Sequence, residues 1–152
     1  MHWTLTLALF AGIPGDADLN LSKFDSYREG YYSAQKSKQP LLVIINPGSD
    51  SEAKPIALDD ICKTEARRKL LEKYVVVVVD ASTEQGKRVH KQFDSLPLPR
   101  VVVIDREQEW QIYRTSEPMY GDLWTRVLET FQDGNSDAVL EDSSVCTTCN
   151  QQ

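Results

Sequence analysis

Cysteine placement most directly suggests chemistry in this chain of 152 residues: Cys62 stands alone, and Cys146-Thr-Thr-Cys149 lies near the end. Two thiols at that spacing can close a local disulfide, and such a pair is redox-competent when one thiol is held as thiolate. No strand pattern precedes the pair and no helical pattern follows it, so no helix dipole is available to lower a thiol pKa. The pair therefore has two readings, a tail disulfide or stray thiol pair, and a redox arm that swings to the domain or to a partner. It is also half of a tetrahedral zinc set. Completing that set with Cys62 and His90 would require distant segments to converge, so no metal is expected. Cys62, within Asp60-Ile-Cys-Lys-Thr64, reads as a packing residue. As a nucleophile it would need a base, and only His2 and His90 are present. His90 is flanked by Lys87, Arg88 and Lys91, the pattern of a solvated helix face. There is no Ser-His-Asp set, phosphate loop or paired-carboxylate motif, and no cofactor is expected.

Composition narrows the function classes. Hydrophobic residues make up 41% and charged residues 26%, as in a soluble globular domain. A net charge of −6 argues against nucleic acid, because counterion release needs a basic surface. No apolar run reaches the ~18 residues of a membrane-spanning helix. The segment Trp3 to Ile13 is apolar for about the length of a signal-peptide core, and Gly15-Asp16-Ala17 would serve as a cleavage site. Against this, Met1-His2 carries no Lys or Arg, and Trp3, Leu5, Leu7 and Leu9 alternate as in a first strand. Cleavage would make the protein periplasmic or secreted; retention would leave it cytoplasmic.

The elements that must position any site follow from periodicity. Phe24, Tyr27, Tyr31 and Ala34 recur at helical spacing, predicting a helix from Leu21 to Lys36 that ends before Gln39-Pro40. Leu41 to Ile45 reads as a strand buried on both faces and stopped by Asn46-Pro47-Gly48. A long helical stretch follows, broken near Lys63-Thr64, where Thr64 can cap a second helix carrying Leu70, Leu71 and Tyr74. Val75 to Val79 predicts a strand, Ser82 an N-cap, and Val89 and Phe93 the buried side of a helix ended by Asp94-Ser-Leu-Pro-Leu-Pro99. Val101 to Ile104 and Trp110 to Tyr113 predict an antiparallel hairpin, and Leu123, Val127, Leu128 and Phe131 a last helix. From Asp133 small polar residues dominate, predicting a flexible tail over 133–152. The domain then occupies 18–132, behind a signal peptide or first strand in 1–17. The fold class is α/β, a central mixed sheet of parallel strands plus a C-terminal antiparallel hairpin, flanked by helices.

That order resembles the thioredoxin fold, and local features match it in register. Tyr27 to Ile45 is similar to the helix-then-strand opening of bacterial thioredoxin-like proteins. Leu70 to Tyr74 with the valines and Asp80 resembles their next helix and strand, and Leu98-Pro99-Arg100 resembles the loop in which a cis-proline precedes the third strand. The likeness covers about Leu21 to Phe131. It implies a Cys-X-X-Cys at the start of a helix after the first central strand, and here Ser49-Asp-Ser-Glu-Ala-Lys54 occupies that place. Asp50 and Ala53 stand where the cysteines would be; Lys54 keeps the trailing lysine, and Ile44 replaces a buried acid many members carry. An aspartate there cannot form a mixed disulfide, so Asp50, Ser51 and Glu52 read as helix-start residues.

The resemblance implies that the backbone beside Pro99 pairs with extended peptides, which needs no thiol; the plainer reading is a rigid turn, and Pro97 is the alternative cis residue. Three functions follow. The favoured one is a redox-inactive module that binds a protein or peptide through Asn46 to Lys54 and Leu98 to Arg100, with Asp50, Ser51, Leu98, Pro99 and Arg100 as contact residues. The second is a thiol–disulfide oxidoreductase that uses Cys146 and Cys149. The third is a structural exported domain. Oligomeric state is not legible.

Overall fold

In the computed structural model, which describes residues 21–140, the apolar runs form the sheet and the periodic stretches its covering helices. The order is β1 (Ser22–Phe24), α1 (Tyr27–Ser37), β2 (Leu41–Asn46), α2 (Leu58–Ile61), α3 (Glu65–Leu71), β3 (Val75–Asp80), α4 (Glu84–Gln92), β4 (Arg100–Ile104), β5 (Gln111–Thr115) and α5 (Gly121–Phe131). The sheet order is β1-β3-β2-β4-β5. The first three of these run parallel, whereas β4 is antiparallel to β2 and β5 to β4.

Period-two alternation within the runs divides the core into two layers. Leu41, Val43, Ile45, Val75, Val77, Val79, Val102 and Ile104 face α1 and α4 and meet Ala34, Val89 and Phe93. Leu42, Ile44, Val76, Val101 and Val103 face the other side, where Leu71, Trp124, Val127, Leu128 and Phe131 cover them. Tyr74 fastens this layer by donating its hydroxyl to the Leu128 carbonyl at 2.8 Å.

Four expectations change. The predicted helix over Leu21 to Lys36 begins only at Tyr27, behind the cap Ser26, whose hydroxyl accepts from Glu29 N. Ser22–Phe24 is instead β1, in register with Val75–Val77. Phe24 packs into the same layer as Tyr27 and Tyr31, so an edge strand followed by a helix reproduces one helical period. The cap of α4 is Thr83, which accepts from Gly86 N at 2.9 Å, because Ser82 is turned to donate to Asp80. The second hairpin strand starts at Gln111, since Asp105 Oδ1 holds the amides of Glu109 and Trp110 in the turn and leaves Trp110 65% exposed.

The packed chain also runs past Asp133, where composition starts the flexible tail. Gly134, at φ +61, takes the Arg106 amide on its carbonyl at 3.0 Å, and Ala138 and Leu140 pack against the α5 layer. Residues 1–20, with the signal-peptide or first-strand reading, and 141–152, with Cys146 and Cys149, lie outside the described residues.

The closest backbone approach is at Gly86, where a Cβ would sit 1.8 Å from the Asp80 carbonyl oxygen. Gly86→Ala must displace α4 from β3, a loss of about 1–3 kcal/mol that the helix propensity of alanine only partly offsets. The expected outcome is a lower urea midpoint with an unchanged slope.

Candidate functional site

The register brings the resemblance-derived residues to one end of the sheet. Asn46 at the end of β2 is paired with Asp80 at the end of β3, and Ile45 is paired with Arg100 at the start of antiparallel β4. The loop after β2, the Asp80–Thr83 turn and the Leu98–Pro99 segment therefore share that end, where ligands of open α/β sheets commonly sit.

The loop after β2 is organised by a side chain. Asn46 Oδ1 accepts from Ile56 N at 2.8 Å, and Asn46 Nδ2 donates to the Ile56 carbonyl at 2.9 Å. This pair of bonds, like a rung of strand pairing, closes residues 47–55 into a loop. Inside it Ser51 N donates to the Gly48 carbonyl at 3.0 Å, and Ser51 Oγ accepts from Ala53 N at 3.2 Å. No helix starts at Ser49–Lys54, which corrects the helix-start reading of Asp50, Ser51 and Glu52. The next helix is α2, capped by Ala57 without a side-chain bond. The cause is local: Pro55 biases Lys54 away from helical backbone, and the Asn46 clamp fixes the loop ends. Asp50 and Ser51 are exposed, and Ala53 is half-buried.

Between this loop and the start of α4 opens a cleft of about 650 Å³, lined among others by Asn46, Gly48, Ser51, Asp80, Thr83 and Gln85. Asp80 Oδ1 accepts from Ser82 Oγ at 2.6 Å and from Ser82 N at 2.8 Å. These bonds, the side-chain one first, hold the Asp80 carboxyl below the usual range.

On the other side of β2 the Leu98–Pro99 bond is cis, and both residues are half-buried. Leu96 beside them is 40% exposed. His90, half-buried beside exposed Lys87 and Lys91, has its Nε2 2.7 Å from the Leu96 carbonyl, bracing the turn after α4. Arg100 is only 3% exposed. Its Nη1 donates to Ser116 Oγ at 3.4 Å, while buried Nε and Nη2 have no partner. Burial lowers its pKa, Arg114 lowers it further, and Asp94 opposes both.

Cys62 lies elsewhere, half-buried after α2 and packed on the α5 layer. Burial, then Asp59, pushes its thiol pKa up against the pull of Arg68 and Arg67. His90 is on α4, across the sheet from that layer, so the two do not form a nucleophile–base pair. None of the described helices is long and apolar enough to cross a membrane. The sequence marked Arg100 through its place after Pro99 and Asn46 as a strand stop, but the clamping role of Asn46 was not legible because its partner is the backbone of an apolar residue ten positions on.

No protein-family model and no curated protein matches the chain. Solved structures do. A thioredoxin from Thermus thermophilus is 19% identical, with 72% of this chain and 85% of that one covered at a TM-score of 0.56. A DsbH oxidoreductase is 17% identical, with 82% and 92% covered at a TM-score of 0.50. The chain thus has a thioredoxin-like fold. Within it, the loop at the end of β2 carries Asp50 and Ala53 and no cysteine.

Two outcomes are expected here. Asn46→Ala leaves the Ile56 amide and carbonyl without their partner, costing about 1–3 kcal/mol and speeding hydrogen exchange at Ile56. Because the Asp80 pKa is depressed in the folded state, its contribution to stability is present above the ordinary carboxylate pKa and fades as pH falls through the depressed value. Ser82→Ala should raise the Asp80 pKa toward the ordinary value in an NMR titration.

Proposed function

We propose that the chain is a non-catalytic binding module that docks an extended segment of a protein or peptide along Leu96 to Arg100, with Asp50 and Ser51 of the clamped loop beside it. The observation that carries this reading is Arg100: a buried guanidinium with two partnerless nitrogens, directly after half-buried Leu98 and Pro99. A buried cation without acceptors is costly, and an acceptor brought by a partner would relieve that cost. Leu96 and Leu98 offer apolar contact, and extended segments bind through backbone pairing without needing a thiol. The module spans residues 18–140 in this reading, since Gly134, Ala138 and Leu140 are part of the packed domain. Removal of the first 17 residues on export would leave it whole.

The probe is carboxymethylated insulin B chain, an unfolded polypeptide, followed by amide shifts of the full-length protein. Saturable shifts centred on Leu96, Leu98, Arg100 and Ser51, weakened in Leu96→Ser, are expected. Shifts elsewhere, or none, defeat the docking surface. The competing oxidoreductase reading is tested with intact insulin and dithiothreitol. Turnover at the uncatalysed rate is expected, unchanged in Cys146→Ser or Cys149→Ser. Catalysed turnover lost in either variant makes the tail dithiol the active group and replaces the binding reading.

A further inference from the structure

The guanidinium of Arg100 is bonded at one corner and free along one edge. Nη1 donates to Ser116 Oγ at 3.4 Å, near the outer limit of a hydrogen bond. Nε and Nη2 are buried and have no partner among the described residues. These two nitrogens lie along the same side of the planar group, with donors that point in parallel at the spacing of the two oxygens of a carboxylate. A single carbonyl or hydroxyl oxygen satisfies one such donor well and leaves the other wanting. The chemistry of the free edge is therefore that of a carboxylate.

Register places a second cation beside it. Arg100 stands two residues before Val102 on β4 and shares its face, the one covered by α1 and α4. Val102 is paired with Arg114 of β5, so the Arg114 side chain is on that face too, exposed where Arg100 is buried. Leu98 packs into the same layer. Among the described residues, neither guanidinium forms an ion pair. Burial, then Arg114, disfavour the charged form of Arg100, and exposed Asp94 opposes them from beyond ion-pair range. In a chain of net charge −6, two cations thus stand together on one face with no carboxylate against either.

We infer that the docked segment carries an aspartate or glutamate whose carboxylate is taken by Nε and Nη2 of Arg100, with Arg114 at the exposed rim. This rests on the docking reading above and names what the segment must bring. Both nitrogens are closed to solvent, so the side chain turns as the segment docks, exchanging the long Ser116 bond for two charge-assisted ones. The acid is an internal residue of the segment. In an extended segment pairing along Leu96 to Arg100, alternate side chains stand off the backbone toward the sheet face, whereas a terminal carboxylate continues the line of the strand. Arg114 draws the acid in and gives the binding a salt dependence.

The test is an amide and Arg side-chain NMR titration of the full-length protein with the peptide Ser-Val-Thr-X-Thr-Val-Ser, acetylated and amidated, where X is Glu, Gln or Lys. A further peptide has Gln at X and a free C-terminal carboxylate. Saturable shifts at Leu98 and Arg100 Nε are expected, with the Glu peptide bound about tenfold or more tighter than the Gln peptide and the Lys peptide weakest. Arg100→Lys keeps the charge but loses the edge, and should cut the preference for Glu over Gln to about twofold or less. Arg114→Gln replaces only an exposed side chain. It should weaken the Glu peptide about two- to threefold and flatten its salt dependence. Equal binding of the Glu and Gln peptides overturns the carboxylate and leaves the docking reading standing. So does tighter binding of the free-terminus peptide than of the Glu peptide, or a Glu preference that persists unchanged in Arg100→Lys. No saturable shift with any peptide overturns both readings.

Discussion

Burial of β2 on both faces is the constraint from which the rest of the structure follows. Leu41 to Ile45 are all fully buried, lying between β3 on one side and β4 on the other. Each such side chain contributes roughly 1.5–3 kcal/mol by leaving water. A strand apolar on both faces must be covered twice, so α1 and α4 lie on one face and α3 and α5 on the other. Connections that leave β2 and β3 toward opposite layers separate at the strand ends, and that separation opens the cleft beside Asn46.

How far the sequence could be read depended on whether the signal was a side-chain pattern. The valine runs over Val75 to Val79 and Val101 to Val103 announce their strands, and the α5 face is plain from Val127, Leu128 and Phe131. The two-helix break at Thr64 was legible too, since the Thr64 hydroxyl does cap α3 by accepting from Arg67 N. Where the structure departed, backbone partners decided. Ser22–Phe24 became a strand because β3 offered an open edge, a long-range pairing that no local window contains. The Ser82–Asp80 bonds moved a cap by one residue, since either Ser82 or Thr83 could cap on propensity.

The same limit applied at the site. Matching to the thioredoxin pattern located the loop after β2, but the pattern's helix did not come with it. Proline at 47 and 55 and the Asn46 clamp turn the segment into a closed loop, so Asp50 sits on exposed backbone and not at a helix dipole. Arg100 and Arg67 look alike in sequence to the exposed Lys87 or Arg88. Only packing shows that both side chains are buried, and that Arg100 keeps two nitrogens without a partner.

The docking of residues 133–140 has a consequence for the edge of the sheet. Gly134 is held by Arg106, and Leu140 lines a groove with Ile112 and Tyr113 of the edge strand β5. The chain thus reaches Leu140 beside the strand whose outer side is unpaired, so a partner that pairs with β5 must share that margin of the domain with it.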